Sequence, residues 1–242
     1  MKSNASLIII PMFNEESRIV LNDYKSAFTN YSHLDFLLID DASTDNTKHI
    51  ISDFEKTFSN VSLLQNPLNK GKAESIRKAI KTSSAKNYNY VGYMDADLAV
   101  PFSEIHRLIK IAEINTDIKF LLGSRIKLIS NTIVRSKTRH YFGRIFATIV
   151  SQIILKTPIY DTQCGAKIIQ FNLAKELFEN PFKTKWLFDV ELLLRYKKTH
   201  SNFENFIKEE PLDIWIEKGG TKIKTKEFLL FPFQLIKLYF NY

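Results

Sequence analysis

Short apolar runs at Leu7-Ile8-Ile9-Ile10, Phe36-Leu37-Leu38-Ile39, Val61-Ser62-Leu63-Leu64 and Tyr90-Val91-Gly92-Tyr93 alternate with stretches in which apolar residues recur at helical spacing. Val20, Tyr24, Ala27 and Phe28 mark a first helix, opened by the acids of Asn14-Glu15-Glu16. Ile50, Phe54 and Phe58 mark a second, and Ala73, Ile76 and Ile80 a third. An unbroken apolar strand is one covered on both faces, and β-α-β units of this size require a parallel sheet with right-handed crossovers. The first strand is expected to end at Pro11, which has no N–H for a ladder. With 242 residues, 45% of them hydrophobic, the chain can bury one sizeable core, so the expected class is α/β with a mostly parallel sheet flanked by helices.

Ligands of such sheets bind beyond the carboxyl ends of the strands, and Pro11, Asp41 and Asp95 all fall there. Asp95-Ala96-Asp97 places two carboxylates one residue apart; they converge only if the backbone turns, and then repel unless a cation lies between them. Mg²⁺ or Mn²⁺ takes one or two carboxylates and completes its octahedron with water and substrate phosphates, so Asp95 and Asp97 are candidate metal ligands. The plainer reading makes them loop or N-cap residues ahead of a helix begun at Ser103. No Gly-x-Gly-x-x-Gly follows the first strand and no P-loop occurs, which argues against dinucleotide oxidoreductases and P-loop enzymes. The net charge of +8 suits an anionic partner. A single cysteine, Cys164, excludes an internal disulfide and fits a reducing compartment. The apolar run before Pro11 is too short for a signal peptide, so a cytoplasmic location is expected.

Pro11-Met12-Phe13-Asn14-Glu15, Asp40-Asp41-Ala42-Ser43-Thr44-Asp45-Asn46-Thr47, Asn69-Lys70-Gly71-Lys72, Asp95-Ala96-Asp97, Gly123-Ser124-Arg125 and Asp161-Thr162-Gln163-Cys164-Gly165-Ala166-Lys167 occur in this order. Together they resemble the family 2 inverting glycosyltransferases of the GT-A fold, and within them the dolichyl- and polyprenyl-phosphate glucosyl- and mannosyltransferase branch. The resemblance covers most of the chain. It implies one Rossmann-like GT-A domain over residues 1–225, its nucleotide-sugar half running to about 125 and its acceptor half from about 126. It also implies metal-dependent transfer of a hexose from a UDP-sugar or GDP-sugar to a polyprenyl phosphate, with inversion. Asp41 would contact the base, with Pro11, Asn14, Glu15, Lys72, Asp95 and Ala96 completing the nucleotide site, and Asp95 and Asp97 would serve metal and diphosphate. Asp41 suits that role because uracil N3–H and guanine N1–H are donors and a carboxylate only accepts. Asp40 is expected to cap the turn. The chain departs from the family in having Ala73-Glu74 where a second glycine is usual, and it is expected to lack the membrane anchor or spans of many members.

The second half is less regular. A helix with Ile105, Leu108, Ile109 and Ala112 on one face is expected after a Ser103 cap, followed by a strand at Phe120-Leu121-Leu122. Arg125 suits a phosphate, or else a surface salt bridge. The cations from Arg135 to Arg144 open a helix with Phe142, Phe146, Ile149 and Ile153 on one stripe. Since cations oppose a helix N-terminus, Arg135 and Arg139 are read as an acceptor-phosphate site, against a solvated basic face. Gln163 and Lys222 join the acceptor and phosphate group, Lys222 from a turn resembling the family's Gly-Ser-Lys. Asp189 matches the family's general base, but a phosphate acceptor is already anionic, so with that acceptor Asp189 is expected to orient rather than abstract; the simpler reading is an N-cap. Leu212, Ile214 and Ile216 alternate as a strand, and the apolar tail, residues 226–242, is either packed on the domain or interfacial. Besides polyprenyl phosphate, a saccharide hydroxyl remains an acceptor, and a non-catalytic nucleotide-sugar binding module a third reading. No aromatic-basic nucleic-acid motif is present.

Overall fold

The computed structural model describes residues 6–134, 136–219 and 230–242, without the side chains of residues 137–140 and 142. Arg135 and Lys222 therefore lie outside the described residues, as does the side chain of Arg139.

The opening units form as the alternation requires. Strand β1 (Leu7–Met12), helix α1 (Leu21–Asn30), β2 (Asp35–Asp40), α2 (Thr47–Thr57), β3 (Val61–Gln65), α3 (Lys72–Thr82), β4 (Tyr90–Tyr93), α4 (Phe102–Ile114) and β5 (Phe120–Ser124) follow one another. The strands run β3-β2-β1-β4-β7-β5-β8, where β7 is Lys167–Gln170 and β8 is Ile207–Pro211. All pairings are parallel except those of β7, which runs antiparallel between β4 and β5. The sheet is therefore mixed but mostly parallel. Its strand order reverses between β1 and β4, where a crevice opens beyond the strand ends.

Alternation along the buried strands divides the core in two. Leu7 and Ile9 face α3 and the later helices α6 (Phe171–Leu177) and α7 (Phe188–Thr199), while Ile8 and Ile10 face α1, α2 and α4. β1 does not stop at Pro11 but runs one residue further. The reason lies in the alternating direction of the backbone groups. The Ile9 carbonyl accepts Met94 N–H on the β4 side, so Pro11, two residues on, also faces that side, where β4 has already left the ladder. Its missing N–H costs no bond.

Local expectations failed at several helix starts. The acids at Glu15 and Glu16 lie in a turn, and α1 begins only after Val20. Pro101, not Ser103, precedes α4. Asp189 is not the cap of α7; Leu187 holds that position and Asp189 lies in the first turn. The strand expected at Leu212, Ile214 and Ile216 forms as β9 (Ile214–Ile216), with Leu212 buried just ahead of it. Among the described residues β9 pairs only with β6 (Thr132–Val134), and within it Trp215 is buried while the two isoleucines are exposed. The guanidinium carbon of Arg125 lies 5.5 Å from the Trp215 ring centroid.

Helix α5 (Lys137–Ile149) passes directly into a π-helical turn, Val150–Leu155, which ends at left-handed Lys156 (φ 51°). The stripe of Phe146, Ile149 and Ile153 is only partly covered: Ile149 and Ile153 are 37% and 56% exposed. The last helix, α8 (Phe231–Asn241), buries Leu235 and Leu238 in the α3-side core and leaves Phe233, Ile236, Tyr239 and Phe240 exposed.

Candidate active site

Two loops at the ends of β1 and β2 are knitted together first. Asn14, held at φ 50°, donates its N–H to Ser43 Oγ (3.1 Å) and accepts Thr44 N–H at Oδ1 (2.8 Å). Glu15 N–H donates to Thr47 Oγ1 (2.8 Å). Asp40 accepts Ser43 N–H at Oδ1 (3.1 Å), the turn-capping role expected of it.

Asp41 is buried and organises the next loop. Its Oδ1 accepts Asn66 Nδ2 (2.8 Å) and Lys70 N–H (2.9 Å), and its Oδ2 accepts Gly71 N–H (2.7 Å). Gly71 sits at φ 83°, where a side chain is strained, and immediately precedes α3. The glycine lets the chain turn so that Lys72 projects from the first position of the helix into the crevice.

Lys72 Nζ meets Asp95 Oδ1 at 2.6 Å. Burial alone would lower the lysine pKa, but the carboxylates of Asp95 and Asp189 outweigh it and raise the value. Asp95 moves the opposite way: burial would raise its pKa, but Lys72, Lys167 and Arg125 bring it below the ordinary carboxylate range. The second carboxylate of the pair, Asp97, accepts Ala99 N–H at Oδ1 (3.0 Å) and pairs with Arg18 Nη2 through Oδ2 (2.6 Å). Ala96, between them, is buried and its carbonyl accepts the Tyr24 hydroxyl (2.7 Å). Its role is to hold the turn by its backbone. The loop reading of Asp95 and Asp97 describes their backbone, since neither caps a helix, and both side chains line one cavity.

Asp189 is tied to a partner that was not foreseen. Its Oδ1 accepts the Tyr93 hydroxyl (2.7 Å) and lies 2.7 Å from Lys167 Nζ. Lys167 is fully buried and also donates to the Cys164 carbonyl (2.7 Å). Burial, with Asp189 beside it, lifts the Tyr93 phenol well above its ordinary pKa, so Tyr93 donates its proton to the carboxylate rather than releasing it. Arg125 is likewise not directed wholly at a ligand. Its Nε and Nη2 hold Asp161 in a fork at 2.7 and 2.8 Å, and its backbone N–H donates to the same carboxylate at 3.0 Å.

These groups share a cavity of ≈ 1670 Å³. Pro11, Asn14, Glu15, Asp41, Lys72, Asp95, Asp97, Arg125, Gln163 and Asp189 line its polar end. From there it runs into an apolar trough between Ile149 and Ile153 on one side and Leu235, Ile236 and Tyr239 of α8 on the other.

Residues 7–178 match the sequence profile of glycosyl transferase family 2. The chain belongs to that family. As a family 2 glycosyltransferase it is similar to the dolichyl-phosphate beta-glucosyltransferase of Dictyostelium discoideum, 29% identical over 231 residues covering 89% of this chain and 68% of the relative. It is also 29% identical to an uncharacterized protein of Methanocaldococcus jannaschii over 241 residues, covering 97% and 99% of the two chains. Its fold is that of the GT-A enzymes. Glucosyl-3-phosphoglycerate synthase from Mycobacterium tuberculosis, solved with Mn²⁺, UDP and glucosyl-3-phosphoglycerate, superposes with a TM-score of 0.70 at 14% identity, covering 98% of this chain and 78% of the other.

Sequence reasoning missed Arg18, Tyr93 and Lys167 as partners of the acids. The one local signal for this crowding is Gly165, where an added Cβ would collide with Asp95 Oδ2. Gly165→Ala is therefore expected to push the Asp95 carboxylate off Lys72 and lower transferase turnover by roughly 10²-fold, the scale of a small misplacement in an active site. The far-ultraviolet circular dichroism should not change. Full activity in this variant would show that the position of Asp95 is not critical.

The Arg125–Asp161 pair makes an acid-stability prediction. Burial would raise the Asp161 pKa, but Arg125 brings it from the ordinary 3.8 down to about 2. A carboxylate depressed in the folded state stabilises the fold above its unfolded pKa and loses that contribution as pH falls through the folded value. Roughly 2 kcal/mol should be lost between about pH 4 and pH 2. Urea midpoints compared with Asp161→Asn over that window test it, since the variant should lack this part of the acid dependence.

Proposed function

We propose that this glycosyltransferase moves a hexose, glucose in our reading, from a nucleoside-diphosphate donor to the phosphate of a polyprenyl lipid, inverting the anomeric carbon. The observation that carries the proposal is the continuity of the cavity, from the carboxylates and Lys72 into the trough between the π-helical turn and α8. An apolar trough opening from a charged site suits an amphiphile with an anionic head and a hydrocarbon tail; a free saccharide gains little from it. The names of the relatives, dolichyl-phosphate beta-glucosyltransferases, support glucose and a lipid phosphate.

Each part of the site then has a task. Among the described residues Asp41 Oδ2 accepts one hydrogen bond, from Gly71 N–H, and retains acceptor capacity for a ring N–H of uracil or guanine. Asp95 and Asp97 are hard oxygen donors facing one cavity, which fits Mg²⁺ or Mn²⁺. Among the described residues no third His, Cys, Asp or Glu joins them, so water and the donor's phosphates would complete the shell. Such a cation, when bound, neutralises charge on the diphosphate. Lys72 and Arg18, freed from the two carboxylates by that charge, would turn to the phosphates.

In the reaction an oxygen of the lipid phosphate attacks the anomeric carbon. The new C–O bond forms as the bond to the donor diphosphate breaks, and the electron pair leaves on the diphosphate oxygen. No proton must be removed, because the acceptor is already an anion at neutral pH. Asp189 accordingly acts by position: its carboxylate accepts the Tyr93 hydroxyl and is paired with the buried Lys167.

The exposed apolar residues of α8 and of the π-helical turn, Phe240 at 80% and Ile153 at 56%, suit contact with a membrane surface from which the acceptor is drawn. No helix among the described residues is long and apolar enough to cross a membrane. The test is Ile149→Asp with Ile153→Asp. Both side chains are exposed, so the fold should hold, while KM for a long-chain polyprenyl phosphate rises by about tenfold or more as apolar contact is lost. Donor affinity by calorimetry should be unchanged. An unaltered KM would separate the trough from the acceptor.

A further inference from the structure

Among the buried side-chain atoms of the described residues that lack a hydrogen-bond partner, two N–H donors line the cavity: Trp186 Nε1 and Gln163 Nε2. Buried donors in native folds are nearly always paired, so an orphan beside a reactive centre marks the place of an absent acceptor. An indole N–H can only donate, and the carboxamide nitrogen likewise only donates.

Both residues sit on segments that the site itself fixes. Gln163 lies two residues before Gly165, against which the Asp95 carboxylate rests, and its own N–H donates to Asp161 Oδ1 (3.3 Å). Trp186 lies three residues before Asp189. Lys185, next to it, lies near both Gly71 and the indole: its Cε would stand 3.3 Å from a Cβ on Gly71, and its Nζ lies 5.5 Å from the Trp186 ring centroid. The indole thus neighbours a lysine that approaches the residue before α3, and it lies just ahead of α7, which carries Asp189.

The phosphates of a donor would be met by the cations Lys72, Arg18 and Arg125. Trp186 and Gln163 are uncharged, and Trp186 adds an apolar ring face. Neutral donors beside such a face suit the hydroxyl oxygens and C–H surface of a hexose. We propose that Trp186 and Gln163 are specificity-determining residues that hydrogen-bond hydroxyl groups of the donor hexose and so select which sugar is transferred. The inference rests on the reading of this cavity as a nucleotide-sugar site and extends it to the sugar.

A site built to hydrogen-bond a hydroxyl discriminates against the analogue lacking it, because the donor is left buried and unpaired. Calorimetry with the full chain and Mn²⁺ first identifies whether UDP-glucose or GDP-mannose binds; the deoxy analogues of that donor at ring positions bearing free hydroxyls, and the nucleoside diphosphate alone, are then titrated. Wild type should bind two of the deoxy analogues, one for each donor, about tenfold or more weaker than the parent. Trp186→Phe should bind the parent that much weaker, bind one of these analogues no worse than the parent, and bind the nucleoside diphosphate as wild type does. Gln163→Leu should erase discrimination at a different hydroxyl.

The proposal is overturned if Trp186→Phe and Gln163→Leu weaken the nucleoside diphosphate as much as the nucleotide sugar, which is the result of a structural or phosphate role. It is also overturned if each lowers affinity for every analogue by one common factor. Failure of wild type to bind either nucleotide sugar would remove the underlying donor-site reading along with it, and is distinguished by the wild-type titrations alone.

Discussion

Asp97→Asn is expected to lower turnover by about 10²–10³-fold, the scale on which one electrostatic contact to a reacting group acts, while leaving the fold intact. The substitution keeps an oxygen that can accept Ala99 N–H, so the turn after β4 survives. What disappears is a charge beside Asp95, and with it the fit to a divalent cation. The Mn²⁺-dependent part of donor binding should vanish as well, read by calorimetry with and without metal. Turnover unchanged in the variant, or full activity in excess chelator, would reduce the two carboxylates to anchors for Arg18 and Lys72.

A second large effect is expected at Asp189, and it separates stability from chemistry. Asp189→Asn leaves the fully buried Lys167 without its counter-charge, which should destabilise the fold by about 3 kcal/mol in urea unfolding. Removing the lysine too, in Lys167→Met with Asp189→Asn, should restore most of that loss, because a buried charge pair can be replaced by neutral groups more cheaply than it can be broken. Turnover per folded molecule of Asp189→Asn with polyprenyl phosphate should stay within about tenfold of wild type. Loss of a general base would instead cost roughly 10²–10⁴-fold. A variant of unchanged stability whose turnover falls that far would make Asp189 a base and direct the search to a hydroxyl acceptor.

The first half of the fold was legible because β1 and β2 carry continuous apolar runs and each helix has its own apolar face, so local pattern and final burial agree there, while β3, with Ser62 in its run, is the half-exposed strand at the edge of the sheet. β7 was not, because Lys167-Ile168-Ile169-Gln170 passes into α6 without a turn residue, and its place between β4 and β5 depends on pairing with strands distant in sequence. The acids at the strand ends were legible as a site. Their partners were not: Arg18 reaches Asp97 and Lys72 reaches Asp95 only after the sheet brings the β1, β3 and β4 ends together. Lys167 carries no mark in the sequence that it will be buried, since a lysine at the start of a strand is ordinarily at the surface. The same limit explains Arg125. Its planar fork was read as suited to phosphate or to a surface salt bridge; a salt bridge forms, but a largely buried one, with Asp161 far along the chain. On β9 the apolar alternation marked the strand, but nothing local to it showed that Trp215, beside Arg125, is the buried residue of the three.

In the proposed reaction the apolar trough takes the tail of a lipid phosphate whose head meets the donor sugar at the polar end. The most direct measurement incubates purified protein with radiolabelled nucleotide hexose, Mn²⁺ and either short-chain polyprenyl phosphate or free oligosaccharide, then partitions the label between organic and aqueous phases. Label carried into the organic phase only when the lipid phosphate is present, and reduced in the Ile149→Asp, Ile153→Asp variant at sub-saturating lipid, is the result expected. Label that remains aqueous in every lipid reaction while appearing on an oligosaccharide would contradict it.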